Sequence, residues 1–303
     1  FLAHPFLNRE VYSKYQKTLP LGTTFLEPRM KHFWLAHPLP PCRNENETIQ
    51  QIPQATLAHL PNIYLFVIET FRRDFLHAAP HLSAFERETI PLKRSFSNSS
   101  STHLSWFSIF HADLPLYWAA MRDTWTQGSI PLQMLKQLGY TISIFSSADL
   151  HYFNMDQILF GADRKLADNI EEYHFDRTLA PCDRDALALK SLKQNLKTDG
   201  NVYLIFLDST HSEYSFPKEF PLQYTPIAKD IDYLTIRPKS PELELIKNRY
   251  RNAIAYIDQL MGHFFATLKE QHLYDDAIIA ITGDHGEEFF EEGALFHGTH
   301  LNH

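Results

Sequence analysis

From residue 61 onward the chain alternates between two apolar patterns. Short apolar runs stand at residues 63–68, 141–145, 202–207 and 277–281, uninterrupted except at Thr141 and Ser143 of the second, and separated by stretches whose apolar residues fall three or four apart. Uninterrupted runs of this length match strands covered on both faces, and their alternation with amphipathic stretches predicts βαβ units around a parallel sheet. Two helices have readable ends. One opens at Ser129-Ile130-Pro131, carries Leu132, Leu135 and Leu138, and stops at Gly139. The longer opens at Ser240-Pro241-Glu242 and places Leu243, Ile246, Tyr250, Ile254, Ile257, Met261, Phe264 and Leu268 on one stripe. The expected fold class is α/β, a doubly wound, mostly parallel sheet of at least four strands with helices on both faces.

Residues 1–60 lack this texture. They are rich in Pro, His and aromatics, with only short helical stretches such as 8–17, and read as a lead-in arm to a domain spanning 61–303. The chain begins with Phe1 rather than Met, so it is expected to have been processed or cut from something longer. No apolar run approaches the roughly 18 residues that a spanning helix needs. The formal charge of −8, without a basic stripe, argues against a nucleic-acid surface. Cys42 and Cys182 each follow a proline and have no metal-binding spacing; one disulfide and two unrelated thiols both fit.

Candidate chemistry lies just past the apolar runs, where open α/β sheets bind ligands. The first run leads into Glu69-Thr70-Phe71-Arg72-Arg73-Asp74, the third into Asp208-Ser209-Thr210-His211, and the last into Thr282-Gly283-Asp284-His285-Gly286-Glu287. Glu69, Asp284 and His285 offer hard oxygen and borderline nitrogen donors suited to Zn²⁺ or Mn²⁺. A carboxylate at the end of a buried strand costs several kcal/mol unless it is paired or metal-bound. The Ser-rich loop at 95–102 runs into an apolar helical stretch at 106–110. Either Ser101 or Thr102 could cap that helix, or the hydroxyl could serve as a nucleophile at a helix start, where the dipole favours an anionic oxygen.

At these residues the chain resembles the alkaline phosphatase and sulfatase superfamily, in particular its membrane-anchored branch of phosphoethanolamine transferases and lipoteichoic acid synthases. The most specific piece is Asp284-His285-Gly286-Glu287-Glu288-Phe289-Phe290-Glu291-Glu292-Gly293 followed by Phe296-His297-Gly298, similar to that branch's metal loop and trailing histidine. The resemblance implies an alkaline phosphatase-like fold from about Pro61 and a metal site of Glu69, Thr102, Asp284 and His285. It implies Thr102 as nucleophile, with His211 and His297 addressing substrate or a second ion. Zn²⁺ would be the first choice of cofactor and Mn²⁺ the second.

The implied activity is transfer of a phosphoethanolamine or glycerolphosphate-type group from a phospholipid to a glycolipid or polymer of the cell envelope. The setting would be a bacterial inner membrane, with an upstream anchor and a monomeric catalytic domain facing the periplasm or cell exterior. A sulfatase-like phosphodiester or sulfate-ester hydrolase, and a catalytically silent lipid-binding regulatory domain, are the alternatives. No Cys-x-Pro-x-Arg is present, so formylglycine chemistry is not expected. The sequence ends at His303, soon after His297-Gly298-Thr299-His300, where the family continues into another strand; a truncated domain is expected, with His300 and His303 as tail residues. Arg72, Arg73 and His103 fit either as headgroup-phosphate binders or as solvated loop charges.

Overall fold

Five strands, β1 (Ile63–Ile68), β2 (Thr141–Ser146), β3 (Asn169–Glu172), β4 (Asn201–Leu207) and β5 (Ile278–Gly283), form one all-parallel sheet in the order β3-β2-β4-β1-β5. The structure is a computed structural model that describes residues 57–92, 95–122, 124–231 and 236–298. These belong to a compact unit, Ile49–His303. Residues 1–56 of the expected arm, with Cys42, and the tail residues His300 and His303 lie outside the described residues.

Helices α1 (Pro80–Glu88), α2 (Thr102–His111), α3 (Trp118–Met121), α4 (Ile130–Gln137), α5 (Met155–Phe160), α6 (Pro181–Gln194) and α7 (Pro241–Glu270) connect the strands. After β5 a short antiparallel ribbon, β6 (Glu288–Phe289) and β7 (Leu295–Phe296), follows. Both faces of the sheet's centre are covered, because successive strand residues point to opposite sides. On one face Tyr64, Phe66, Ile68, Tyr203, Ile205 and Leu207 pack with the stripe of α7 and with Ala188, Leu189 and Leu192 of α6. On the other, Val67, Ile142, Ile144, Val202, Leu204 and Phe206 pack with Trp106, Phe107 and Phe110 of α2, Leu132 of α4 and Ile158 and Leu159 of α5. Thus α7 buries the predicted stripe, and Ser129 caps α4 by accepting the Leu132 N–H at 3.2 Å.

Two features differ from the sequence pattern. β5 is an edge strand whose Ile278 is 52% exposed while Ile279 and Ile281 pack on the α7 side, so this apolar run is not covered on both faces. Among the described residues, the second-face cluster extends over β2, β4 and β1 and includes no residue of β5. β3, Asn-Ile-Glu-Glu, is too short and polar to register as an apolar run, and pairs with β2 at the opposite edge. Cys182 is a buried free thiol on α6.

The register decides where the chemistry lies. Ile68 pairs with Leu207 on one side and with Gly283 on the other. The next residue on each strand is a carboxylate, so Glu69, Asp208 and Asp284 leave three adjacent strands at the same level.

Phe264 tests the packing that supports this edge. It is fully buried on α7 and meets Tyr64 and Phe66 edge-on, at centroid distances of 5.5 and 5.3 Å. Phe264→Ala is expected to destabilise the protein by about 3–5 kcal/mol, read from urea unfolding. A loss under about 1 kcal/mol, the level of an ordinary substitution, would contradict this packing.

Candidate active site

Glu69 follows β1 and is 4% exposed. Its position depends on Thr70, a buried β-branched residue at φ 52°, in the left-handed region that such residues avoid. Three hydrogen bonds hold it there. The Thr70 N–H donates to Asp284 Oδ1 at 3.0 Å, its hydroxyl donates to the Thr210 carbonyl at 2.6 Å, and its carbonyl accepts the Tyr250 hydroxyl of α7. Thr210 returns the exchange by donating its hydroxyl to the Glu69 carbonyl. The ends of β1, β4 and β5 are thereby tied together. Gly283 permits the closest approach: a Cβ there would come within 2.5 Å of the Phe71 carbonyl oxygen.

Thr102 is the first residue of α2, and Ser101 occupies the cap position without a side-chain cap bond. Neither hydroxyl serves as the cap. The Thr102 Oγ1 lies 3.3 Å from Glu69 Oε1 and 3.4 Å from His285 Nε2. His285 Nε2 is in turn 3.3 Å from Glu69 Oε1 and 3.6 Å from Asp284 Oδ2. The four sequence-predicted ligand residues therefore meet in one small cluster. The loop before α2 is fastened to it through Ser97 Oγ, 2.7 Å from the Asp284 carbonyl.

The protonation pattern suits a cation. His285 Nδ1 donates to the Gly286 carbonyl at 2.9 Å, so Nε2 presents its lone pair to the cluster. Burial, the largest influence, holds the His285 pKa below the usual imidazole value. Glu69 is pushed well above the carboxylate range, first by burial and then by the charges of Asp284 and Asp208. Asp284 Oδ1 accepts from the Thr70 and His285 N–H groups, whereas Oδ2 is buried and finds no hydrogen-bond donor. An orphaned carboxylate oxygen beside a lone-pair imidazole and a second buried carboxylate fits a divalent cation, and the Glu69, Asp284 and His285 donor atoms lie within 4.8 Å of one another.

His211 and His297 complete the constellation. One donor atom from each, with one from Glu69, also falls within 4.8 Å, offering a second ion position. Their ring centroids are 5.5 Å apart, and His297 is 4.6 Å from the His285 ring. Glu287 Oε2, in a fully buried side chain, lies 3.3 Å from His297 Nδ1 and sets that ring's orientation. Asp208 is raised to about 7, mainly by burial, with His211 and Arg184 opposing the shift. Beneath it, the fully buried Asp185 of α6 accepts from the Asp208 and Ser209 N–H groups, both at 2.9 Å, and from the Ser147 and Ser209 hydroxyls.

Other candidates are used differently. The Arg72 guanidinium is buried and engaged within the protein, pairing with Asp74 at 2.6 Å, Glu291 at 2.9 Å and the Glu287 carbonyl at 2.6 Å. Arg73 pairs with Glu86. His103 stacks on Phe153 at 4.2 Å and meets Trp118 at 4.6 Å, forming an aromatic wall beside Thr102. Tyr152, at 47% exposure, extends that wall and is close enough for the Glu69 charge to help burial raise its pKa. Sequence reasoning did not single out Thr70, Tyr250, Asp185 or Tyr152, since their roles arise from packing between distant segments.

A search of curated protein sequences gives no match. The chain has the fold of the C-terminal periplasmic domain of phosphoethanolamine transferase EptC from Campylobacter jejuni, with TM-score 0.61 and 19% identity over 79% of this chain and 73% of that one. It also resembles lipoteichoic acid synthase LtaP from Listeria monocytogenes, with TM-score 0.58 and 19% identity over 80% of this chain and 62% of that one. For the periplasmic domain of EptC from Escherichia coli in complex with Zn, the TM-score is 0.57 and identity 18%, over 77% of this chain and 66% of that one. The fold is alkaline phosphatase-like. The Sulfatase family model matches residues 61–303, and the chain belongs to the sulfatase family.

Proposed function

We propose that the protein is a metal-dependent phosphotransferase. It moves a phosphoethanolamine or glycerolphosphate-type group from a phospholipid to a glycolipid or polymer of the cell envelope, with Thr102 as nucleophile. The observation that carries the reading is the position of Thr102 Oγ1, 3.3 Å from Glu69 Oε1 and 3.4 Å from His285 Nε2, at a helix start where it caps nothing. Family membership and the fold shared with two transferase or synthase structures support the substrate class. The periplasmic placement of the EptC domain supports an extracytoplasmic setting. No helix among the described residues is long and apolar enough to cross a membrane, so membrane association would come from a segment outside them.

Glu69, Thr102, Asp284 and His285 would hold the cation, for which the Zn-bound EptC domain favours zinc over manganese. A divalent cation supplies charge that favours the ionised Thr102 hydroxyl and offsets charge on the phosphoryl oxygens. Such an ion can bring the pKa of a bound water down to about 7, against the roughly 10²–10⁴-fold of a general base alone.

The chain's own groups then define two balanced displacements. Thr102 Oγ, its proton already released to solvent, bonds to phosphorus as the phosphorus–oxygen bond to diacylglycerol breaks, and the departing oxygen takes a proton from His211 or His297. In the second, an acceptor hydroxyl gives its proton to that histidine and bonds to phosphorus as Thr102 Oγ leaves. The first-turn amides of α2 favour the anionic group throughout.

Intact-mass analysis after incubation with phosphatidylethanolamine is expected to find a phosphoethanolamine adduct on Thr102. Thr102→Ala should lose the adduct and at least about a thousandfold in transfer rate. Adduct formation on another residue, or unchanged transfer in Thr102→Ala, would defeat the reading; breakdown in water as fast as with acceptor would mark a hydrolase.

The carboxylates give a separate prediction. Because the folded pKa of Glu69 lies above its unfolded value, its contribution to stability is full below the ordinary Glu range and is lost as pH rises through the folded value. In chelator-treated protein at neutral pH, Glu69→Gln is therefore expected to raise stability by about 1–3 kcal/mol. Zinc at a hundred times its Kd should stabilise the wild type by about 2.7 kcal/mol and Glu69→Gln or Asp284→Asn far less. Thermal unfolding checks both, and an equal zinc response in all three proteins would contradict the assignment.

A further inference from the structure

At the far end of the same sheet edge lies a second polar cluster, separate from the Thr102 chemistry. Ser146 of β2 and Glu172 of β3 are in register, and the loop leaving β2 brings Asp149 over the end of β3, where Glu172 and His174 stand. His174 Nε2 is 3.3 Å from Asp149 Oδ1, and His174 Nδ1 is 3.3 Å from Glu172 Oε1. One donor atom from each residue lies within 4.8 Å of the other two. Among the described residues, the buried His174 Nδ1 finds no hydrogen-bond partner. The Glu172 side chain is 5% exposed, and Asp149, at 48%, leaves the cluster open to water on one side.

Charge is the deciding feature. Arg164 is the guanidinium of the cluster, pairing with Glu172 Oε2 at 2.6 Å and Asp156 Oδ2 at 3.1 Å. Its NH2 also donates to His151 Nε2 at 2.8 Å. A guanidinium only donates, so His151 Nε2 carries a lone pair, and Nδ1 donates to Asp156 Oδ2 at 2.9 Å. Among the described residues of this cluster, three carboxylates, Asp149, Asp156 and Glu172, thus face one guanidinium.

We propose that Asp149, Glu172 and His174 form a second divalent-cation site, independent of the Thr102 reading, that takes Zn²⁺ or Mn²⁺ through two carboxylate oxygens and one imidazole nitrogen. The ion balances the charge, and water completes its coordination on the Asp149 side. Its place in the fold gives it work as a staple. The loop it would fasten to β3 continues into Tyr152 and Phe153, with Phe153 and Asn154 at φ 53° and 58°, and Phe153 is the ring on which His103 stacks. Fastening the loop holds the aromatic wall beside Thr102.

The test is equilibrium dialysis of the full chain against graded Zn²⁺ alone, with elemental analysis. Wild type is compared with His174→Ala and Asp149→Ala, the latter a half-exposed loop residue whose loss leaves the core untouched. Each is expected to weaken one zinc equivalent by at least about tenfold and to keep those lost in Asp284→Asn. Zinc binding by either variant equal to wild type in number and affinity would overturn the proposal, whatever happens at Asp284. Zinc binding by Asp284→Asn equal to wild type would count against the catalytic site and leave this one standing.

Discussion

Three carboxylates emerging at one level from adjacent parallel strands are the constraint on which this structure turns. Register places Glu69, Asp208 and Asp284 side by side, and burial, nearly complete for Glu69 and Asp284 and partial for Asp208, thins the water that would otherwise screen them. Without positive charge, such a group must protonate or lose several kcal/mol, and the upward displacement of Glu69 and Asp208 expresses that tension. In the proposed reading, a cation beside a lone-pair imidazole and a threonine hydroxyl would relieve it, and the same relief would create the conditions for nucleophilic attack.

The surrounding architecture serves to keep that edge from relaxing. Thr70 stays in an unfavourable backbone region because three elements hold it, the Thr70 and Thr210 hydroxyls cross-link two strand ends, and Tyr250 anchors both to α7. Asp185 fastens the ends of β2 and β4 from below. Arg72 spends its charge on Asp74 and Glu291, locking the segment after β1 to the loop after β5. Farther along the edge, the Asp149–Glu172–His174 cluster repeats the theme on a smaller scale, with carboxylates gathered at strand ends beside the loop whose Phe153 stacks on His103.

Much of this was legible in the sequence because the relevant signals are local. The runs at 63–68 and 202–207 are strands buried on both faces, and the stripe from Leu243 to Leu268 is a single helix. The residues expected to hold a metal were readable because each follows an apolar run or opens a helix. The rest was not, for physical reasons. An apolar run does not reveal whether helices cover one face or two, so β5 was indistinguishable from a central strand, and β3 carries too few apolar residues to stand out from a loop. Arg72 fitted a phosphate binder and a solvated loop charge alike, because sequence does not show that Asp74, Glu291 and a carbonyl already occupy it. The supporting contacts of Tyr250, Asp185 and Tyr152 cross more than twenty residues of chain, and no spacing rule reports them.

The most direct measurement is anomalous X-ray diffraction at the zinc edge from crystals grown with Zn²⁺. The account predicts a peak bonded at about 2.0–2.2 Å to oxygens of Glu69, Thr102 and Asp284 and to His285 Nε2. An empty cluster in zinc-saturated crystals, or an ion there that leaves out Thr102 and either carboxylate, would contradict it.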